Sequence, residues 1–483
     1  MNKTYFPTIG LEIHAELNTQ TKMFCNSKND TEEKRPNVNV CPICMGHPGT
    51  LPTVNYEAVK HVLKIGVAVG GTLAEYSEFD RKNYFYPDIP KGYQISQYQY
   101  PLVNGGALTG VELTRIHLEE DTAKSFHVEE GSTGYSLIDF NRAGVPLMEL
   151  VTEPVITTAD QAVAFAKELQ LLLRTLGIAH ANMEKGEMRV EANISVSPEK
   201  GKFGKKVEVK NLNSFRSVER AIAYELKRQE IVLEEGGEVV QETRGWDEDR
   251  GETFSQRRKE ESHDYRYFPD PDIPKLKLLE VKEFSRSYLE KELPEMPWQK
   301  RERLSTHFGL KKEDVELYVS DISLGAFFEE VSAILADAKK IQIASNYILS
   351  DLLGLRRESG EEREALSTLK IKAFDFAELI NMVMADKISS RGAKDILKLM
   401  YESGGAPMRI AEEKKLFQQS NEGELAESVK KIITENPKVV AEYRAGKEAA
   451  LQFLVGQGMK ATKGSANPRL LKDIIVKLLA KIE

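Results

Sequence analysis

In the segment Glu12-Ile13-His14-Ala15-Glu16 the polar residues hold every second position, so an extended chain presents Glu12, His14 and Glu16 on one face. Other carboxylates recur in similar settings. Glu119, Glu120 and Asp121 close the run GVELTRIHLEED, Glu149 and Glu153 flank the apolar VPLMELVTEP, and Glu191 holds a polar position of MRVEANISV. Oxygen donors with an occasional imidazole suit Mg²⁺, an ion that also takes substrate phosphates. A single glutamate on a strand is ordinarily a solvated charge. Glu149 is different, because a carboxylate inside an apolar run must find a partner or be neutralised. Arg115, Arg189 and Lys210 lie on comparable faces and could hold phosphates. Together these residues read as a Mg-nucleotide site.

A second group is Cys25, Cys41 and Cys44. The Cys-Pro-Ile-Cys spacing lets two thiolates reach one Zn²⁺, but a structural site wants four ligands. Ser27 stands where another thiolate could have stood, and His47 or Asp30 could complete the shell. The alternative is three ordinary buried cysteines. A third stretch, residues 79–101, interleaves Tyr84, Tyr86, Tyr93, Tyr98 and Tyr100 with Arg81, Lys82, Lys91 and Gln97, a pattern able to stack on a base. No GxxxxGK[ST] loop, GxSxG elbow or paired-histidine motif occurs. Nucleotide chemistry here would therefore run through a metal–carboxylate site.

These side chains need elements to position them. TIGLEIHAEL alternates with period two, placing Ile9, Leu11, Ile13, Ala15 and Leu17 inward. GEMRVEANISV does the same with Met188, Val190, Ala192, Ile194 and Val196, while GVELTRIHLEED puts Arg115, His117 and Glu119 on one face. KKVEVKNLNSF brings Glu208 and Lys210 together. Such strands predict a mainly antiparallel sheet with one wet face. Between them ADQAVAFAKELQLLLRTLG predicts a helix capped by Asp160 and ended by Gly177. Residues 265–298 are proline-rich and read as a linker; beyond them helical spacing replaces alternation. The fold class is thus α+β: a cradle domain over 1–293, an all-helical domain over 294–407 and a small helical tail domain of four short helices over 408–483.

The chain has 483 residues, 41% apolar, with a net charge of −8. That composition excludes wholesale disorder. No apolar run reaches membrane-spanning length, and the first residues lack the apolar core of a signal peptide. Three cysteines fit a reducing cytosol. The charge is unevenly spread: from Ala426 onward there are 11 basic and 6 acidic residues, 11 − 6 = +5, which leaves −13 for the rest. A basic helical tail suits nucleic acid, although a solvated set of helix faces is the plain alternative.

The ordered motifs IGLEIHAELNTQTKMFC, CPICMGHPGTLPTVN, RKNYFYPDIPKGYQISQ, HLEEDTAKS, DFNRAGVPLMELVTEP, MRVEANISV, VEVKNLNSFRSVERAI, DYRYFPDPDIP and ATKGSANP resemble the B-subunit family of aspartyl/glutamyl-tRNA amidotransferases over essentially the whole chain. The resemblance implies a cradle similar in fold to glutamine synthetase. It implies an ATP-dependent carbon–nitrogen ligase with glutamine as amido donor. Mg-ATP would phosphorylate the side-chain carboxylate of misacylated Glu-tRNA(Gln) or Asp-tRNA(Asn), and ammonia would then displace the phosphate. It implies an amidase A subunit and a small C subunit as partners, no membrane, and a bacterial cytoplasm. Metal ligation in the family falls on His14, Glu119 and Glu149 of the matching motifs, with Glu12 as a further ligand and Glu191 beside them. Lys82, Arg189, Lys210, Asn213 and Arg216 are assigned to ATP or substrate, and Lys447, Lys460, Lys463 and Arg469 to tRNA. The cysteine knuckle resembles a structural zinc site from which one family cysteine, at Ser27, is missing. Gly458 stands where the pattern leads us to expect a bulkier residue. Rival readings are a non-catalytic tRNA-binding scaffold and a free-standing ligase of small molecules.

Overall fold

The computed structural model describes residues 4–130, 133–258, 265–360, 369–418, 422–462 and 466–480. The chain divides into two compact units, Met1–Pro297 and Trp298–Glu483.

The first unit is built on a ten-stranded sheet. In chain order its strands are β1 (Phe6–Glu16), β2 (Thr72–Leu73), β3 (Val103–Asn104), β4 (Ala107–Leu108), β5 (Val111–Glu120), β6 (Pro146–Thr152), β7 (Met188–Ser197), β8 (Val207–Leu212), β9 (Glu242–Asp247) and β10 (Glu252–Arg258). Their spatial order is β10-β9-β8-β7-β1-β6-β5-β3-β2, with β4 on β5. Every pairing is antiparallel except β8 with β9. That exception needs a crossover, and helix α3 (Phe215–Glu234) lies in it. Helices α1 (Tyr56–Ala68) and α2 (Ala159–Thr175) precede it in the chain.

The inward positions read from the alternation are buried, but the opposite face is not wet throughout, since His14, Glu16, His117, Glu119 and Glu149 are buried on it. Ile9, Leu11, Ile13, Val190, Ala192 and Ile194 join Phe165, Leu169 and Leu172 of α2 and Val218, Ala221 and Ile222 of α3 in one core. Each large apolar side chain buried there is worth roughly 1.5–3 kcal/mol. With one face packed against helices, period two leaves the even-numbered residues of β1 on the other.

Two local expectations change. The cap of α2 is Thr158, not Asp160: its extended backbone turns Oγ1 to accept from the Gln161 amide, and Asp160 falls in the first turn. Gly177 does follow the helix, with φ +69°. The proline-rich stretch expected as a linker is instead built into the first unit. Phe268–Pro269 pairs with Asp80 and Arg81, Leu276–Lys277 pairs with Tyr76 and Ser77, and Leu289 and Met296 are buried. Proline suits such short edge pairings because it needs no amide hydrogen.

The second unit is helical among the described residues. Ile322–Leu335 and Ala373–Met384 pack together, and Tyr318 stacks on Phe328 with ring centroids 4.2 Å apart. The last four helices, Glu422–Glu435, Pro437–Arg444, Glu448–Ala461 and Pro468–Leu479, enclose a core of Leu425, Val429, Leu454, Leu471 and Ile475. Gly458 lies where two of these helices touch, and a Cβ there would collide with Leu471. That contact explains the small residue. Among the described residues no helix is long and apolar enough to cross a membrane.

Candidate active site and metal centres

The antiparallel ladder sets one row of residues side by side: Arg189 on β7 opposite His14 on β1, His14 opposite Glu149 on β6, and Glu149 opposite His117 on β5. Two residues back along β1, on the same face, Glu12 pairs with Glu191. Three carboxylates therefore converge on one imidazole. His14 Nε2 lies 3.3 Å from Glu149 Oε2, 3.6 Å from Glu119 Oε1 and 4.0 Å from Glu12 Oε1. His117 Nε2 is 3.4 Å from the same Glu149 oxygen, and Arg115 is 3.6 Å from its other oxygen. Glu149 thus finds the partners its apolar setting demands. Ser96 Oγ donates to Glu119 Oε2 at 3.0 Å.

The charges bend one another. Burial alone would lower His14, but the hydrogen bond and charge of Glu149, with the charges of Glu119 and Glu191, push it up to about 9. Burial likewise opposes the ionisation of Glu149; His117 and His14 override it and hold that carboxyl well below the ordinary range. Glu12 is pushed up to about 7 by burial and by the charges of Glu149 and Glu191. Burial and Asp121 push Glu16 up to about 8.

Potential ligand atoms within 4.8 Å of one another form two overlapping sets here, Glu12/His14/Glu149 and His117/Glu119/Glu149, and a third nearby, Glu12/Glu191/Glu208. The donors are oxygen with imidazole, which fits a hard divalent cation. Among the described residues the ring Nδ1 atoms of His14 and His117 are buried without a partner, which leaves Nε2 of each as the nitrogen facing the carboxylates.

The other candidate residues divide. Lys210 Nζ lies 2.7 Å from Glu191 and 3.4 Å from Glu208. Arg189 forks onto Asp121 at 3.1 and 3.2 Å, and the charge of Asp121 raises it further above its ordinary range. Lys82 lies over the rings of Tyr84 and Tyr265 at 5.9 and 5.2 Å. Burial works to lower it, but the charges of Glu119, Tyr267, Tyr84 and Glu149 raise it. Asn213 donates to Asn211 Oδ1 at 3.1 Å, and Arg216 is exposed in the first turn of α3; among the described residues no hydrogen bond or ion pair ties either to the cluster. In the second unit Lys447 pairs with Glu442 at 3.5 Å, and Lys460 and Arg469 are exposed. Lys463 lies outside the described residues.

Sequence reading passed over His117 and Glu208 as ligand candidates, although both stood beside singled-out residues. The alternation that set His117 between Arg115 and Glu119 was the available signal. Cys25, Cys41 and Cys44 do come together, within 4.8 Å of one another, and neither His47 nor Asp30 joins them.

Residues 7–282 match the GatB/GatE catalytic domain family, and residues 326–479 match the GatB domain family. The chain is 43% identical over 482 residues to the B subunit of the aspartyl/glutamyl-tRNA(Asn/Gln) amidotransferase of Persephonella marina, covering 98% of this chain and 99% of the relative. It is 45% identical over 489 residues to the protein of that name from Thermotoga maritima, covering 98% and 99%. The Caldicellulosiruptor saccharolyticus protein of that name is 44% identical over 489 residues, covering 99% and 100%.

Proposed function

The chain belongs to the B-subunit family of aspartyl/glutamyl-tRNA(Asn/Gln) amidotransferases, and on that footing we propose that it activates the side-chain carboxylate of a misacylated tRNA for amidation. The observation that carries the chemistry is the convergence of buried Glu119 and Glu149 on His14, with Glu12 beside them, on a cradle sheet we read as glutamine synthetase-like. Buried carboxylates are costly unless paired or bound to a metal, and three of them set within reach of one imidazole favour a metal-assisted reaction over a pure scaffold.

His14, Glu12, Glu119 and Glu149 would hold Mg²⁺, which when bound neutralises phosphate charge during transfer. Lys210 and Arg189 present cations on the same sheet face and would hold phosphate oxygens, the role electrostatic catalysis of phosphoryl transfer requires. Lys82, caged by tyrosines, would hold the substrate end. The carboxylate oxygen of Glu-tRNA(Gln) or Asp-tRNA(Asn) attacks the γ-phosphorus of ATP and ADP leaves. Ammonia then attacks the acyl carbon, phosphate leaves, and the amide forms. Ammonia comes from glutamine on an amidase A subunit, with a small C subunit completing a heterotrimer in a bacterial cytoplasm. The second unit would divide near residue 408, and its tail would take tRNA through Lys447, Lys460, Lys463 and Arg469, while Asn213 and Arg216 on the first unit would contact ATP or substrate. Three thiolates within reach of one ion support a structural zinc at Cys25, Cys41 and Cys44.

Reconstitution with A and C subunits and misacylated tRNA tests the site. Glu119→Ala should abolish tRNA-dependent ATP hydrolysis and amide formation while glutaminase activity persists. Retained amidation would overturn the metal assignment.

A further inference from the structure

The cysteine corner carries chemistry apart from the carboxylate cluster. Cys44 Sγ stands 3.8 Å from Cys41 Sγ. A tetrahedral ion with Zn–S bonds of about 2.3 Å holds its sulfurs about 3.8 Å apart, whereas a disulfide needs about 2.05 Å. The spacing excludes a disulfide and leaves room for a shared ion, with all three sulfurs within 4.8 Å of one another.

Besides the Cys41 backbone, whose amide donates to Cys44 Sγ at 3.1 Å, two polar side-chain atoms face the same sulfur. Ser27 Oγ is 3.9 Å from Cys44 Sγ, and so is Lys22 Nζ. Sulfur at about 2.3 Å and oxygen at about 2.0 Å from one zinc would stand about 3.5 Å apart, so the Ser27–Cys44 separation needs to close by only a few tenths of an ångström. His47 and Asp30 do not join the group. Lys22 is 1% exposed, and its ammonium also donates to the Phe140 carbonyl oxygen at 3.1 Å. A buried ammonium calls for a buried anion. Zn²⁺ with three thiolates and a neutral hydroxyl carries −1, which one lysine cancels; a fourth thiolate would leave −2 and exceed it. A cavity of about 180 Å³ lined by Cys25, Cys44 and His47 opens beside the cluster and supplies the entry path a metal site requires.

We propose that the fourth ligand of this metal position is oxygen, supplied by the Ser27 hydroxyl, and that Lys22 is its buried counter-ion. The inference rests on the zinc reading of the three cysteines. The full-length chain is loaded with Co²⁺ alone, and the thiolate-to-cobalt charge-transfer absorption is read; zinc affinity is measured by competition with a chelating dye. Wild type should show a three-thiolate band. Ser27→Cys should raise that band by about one third, the step from three thiolates to four in a tetrahedral site. Lys22→Met should weaken zinc by about 10–100-fold, as loss of an outer-shell partner does. His47→Ala should change neither. Ser27 and His47 lie outside the core, so their variants decide the ligand even if Lys22→Met fails to fold. A band unmoved by Ser27→Cys, or lowered by His47→Ala, overturns the oxygen ligand and leaves the zinc reading intact. Absence of any thiolate band in wild type overturns both.

Discussion

Metal binding at the His14 cluster should be coupled to proton release. In the metal-free protein the surrounding carboxylates push His14 up to about 9, yet the imidazole can only ligate an ion when neutral. At pH 7 the ion must displace a proton from a group that is almost fully protonated. One pKa unit corresponds to about 1.4 kcal/mol, so the penalty at pH 7 is about 3 kcal/mol, or about 100-fold in affinity relative to pH values above 9. Mg²⁺ affinity of the full-length chain should therefore climb about tenfold per pH unit from 7 to 9 and then level off. Glu12, pushed up to about 7, is half protonated at neutral pH and adds part of a second proton. Calorimetric titration of Mg²⁺ in buffers of different ionisation enthalpy counts the protons directly. Between one and two should be released per ion at pH 7, and almost none at pH 10. His14→Asn should bind more weakly and lose the dependence above pH 8. Affinity that stays flat between pH 7 and 9, with no protons released, would refute this electrostatic account of the cluster.

The same groups govern stability. His14 is raised from 6.5 to about 9, so the stability its proton supplies is complete below about pH 6.5 and lost as pH rises through 9. Glu12 and Glu16, raised from 4.5 to about 7 and about 8, act in the same direction. The metal-free chain should melt at lower temperature at pH 9 than at pH 6.5, with His14 alone contributing on the order of 3 kcal/mol. Saturating Mg²⁺ should raise the pH 9 melting point; a melting point that instead rises with pH across this window contradicts these shifts. In the tail, Gly458→Val should force Leu471 out of its place and cost about 1–3 kcal/mol by overpacking. Leu471→Ala should cost about 2–5 kcal/mol through the cavity it leaves. Denaturant midpoints followed by helical circular dichroism report both, and a silent Gly458→Val would mean the two helices do not touch there.

Much of the site was legible because strand alternation is local. Period two follows from backbone geometry, so Glu12, His14 and Glu16 had to share a face and Glu149 had to need partners wherever the strands ran. The tail helices were equally legible, since Asn-Pro pairs and apolar periodicity mark their ends and faces. Proline misled at 265–298, because its effect on a local segment does not tell whether that segment pairs with a distant strand. Register was beyond local reading. Whether Glu149 sits opposite His14 or two residues away depends on hydrogen-bond ladders between segments more than 130 residues apart in sequence, and on the packing of β1 and β7 against α2 and α3 that holds those ladders in place. That pairing brought His117 into the cluster and set Lys210 between Glu191 and Glu208. It is also tertiary packing that set Ser27 and Lys22, rather than His47 or Asp30, against Cys44. Residue type and alternation determined which chemistry the chain could do and on which faces; distance between ligands is a property of how those faces meet, and only the folded sheet decides it.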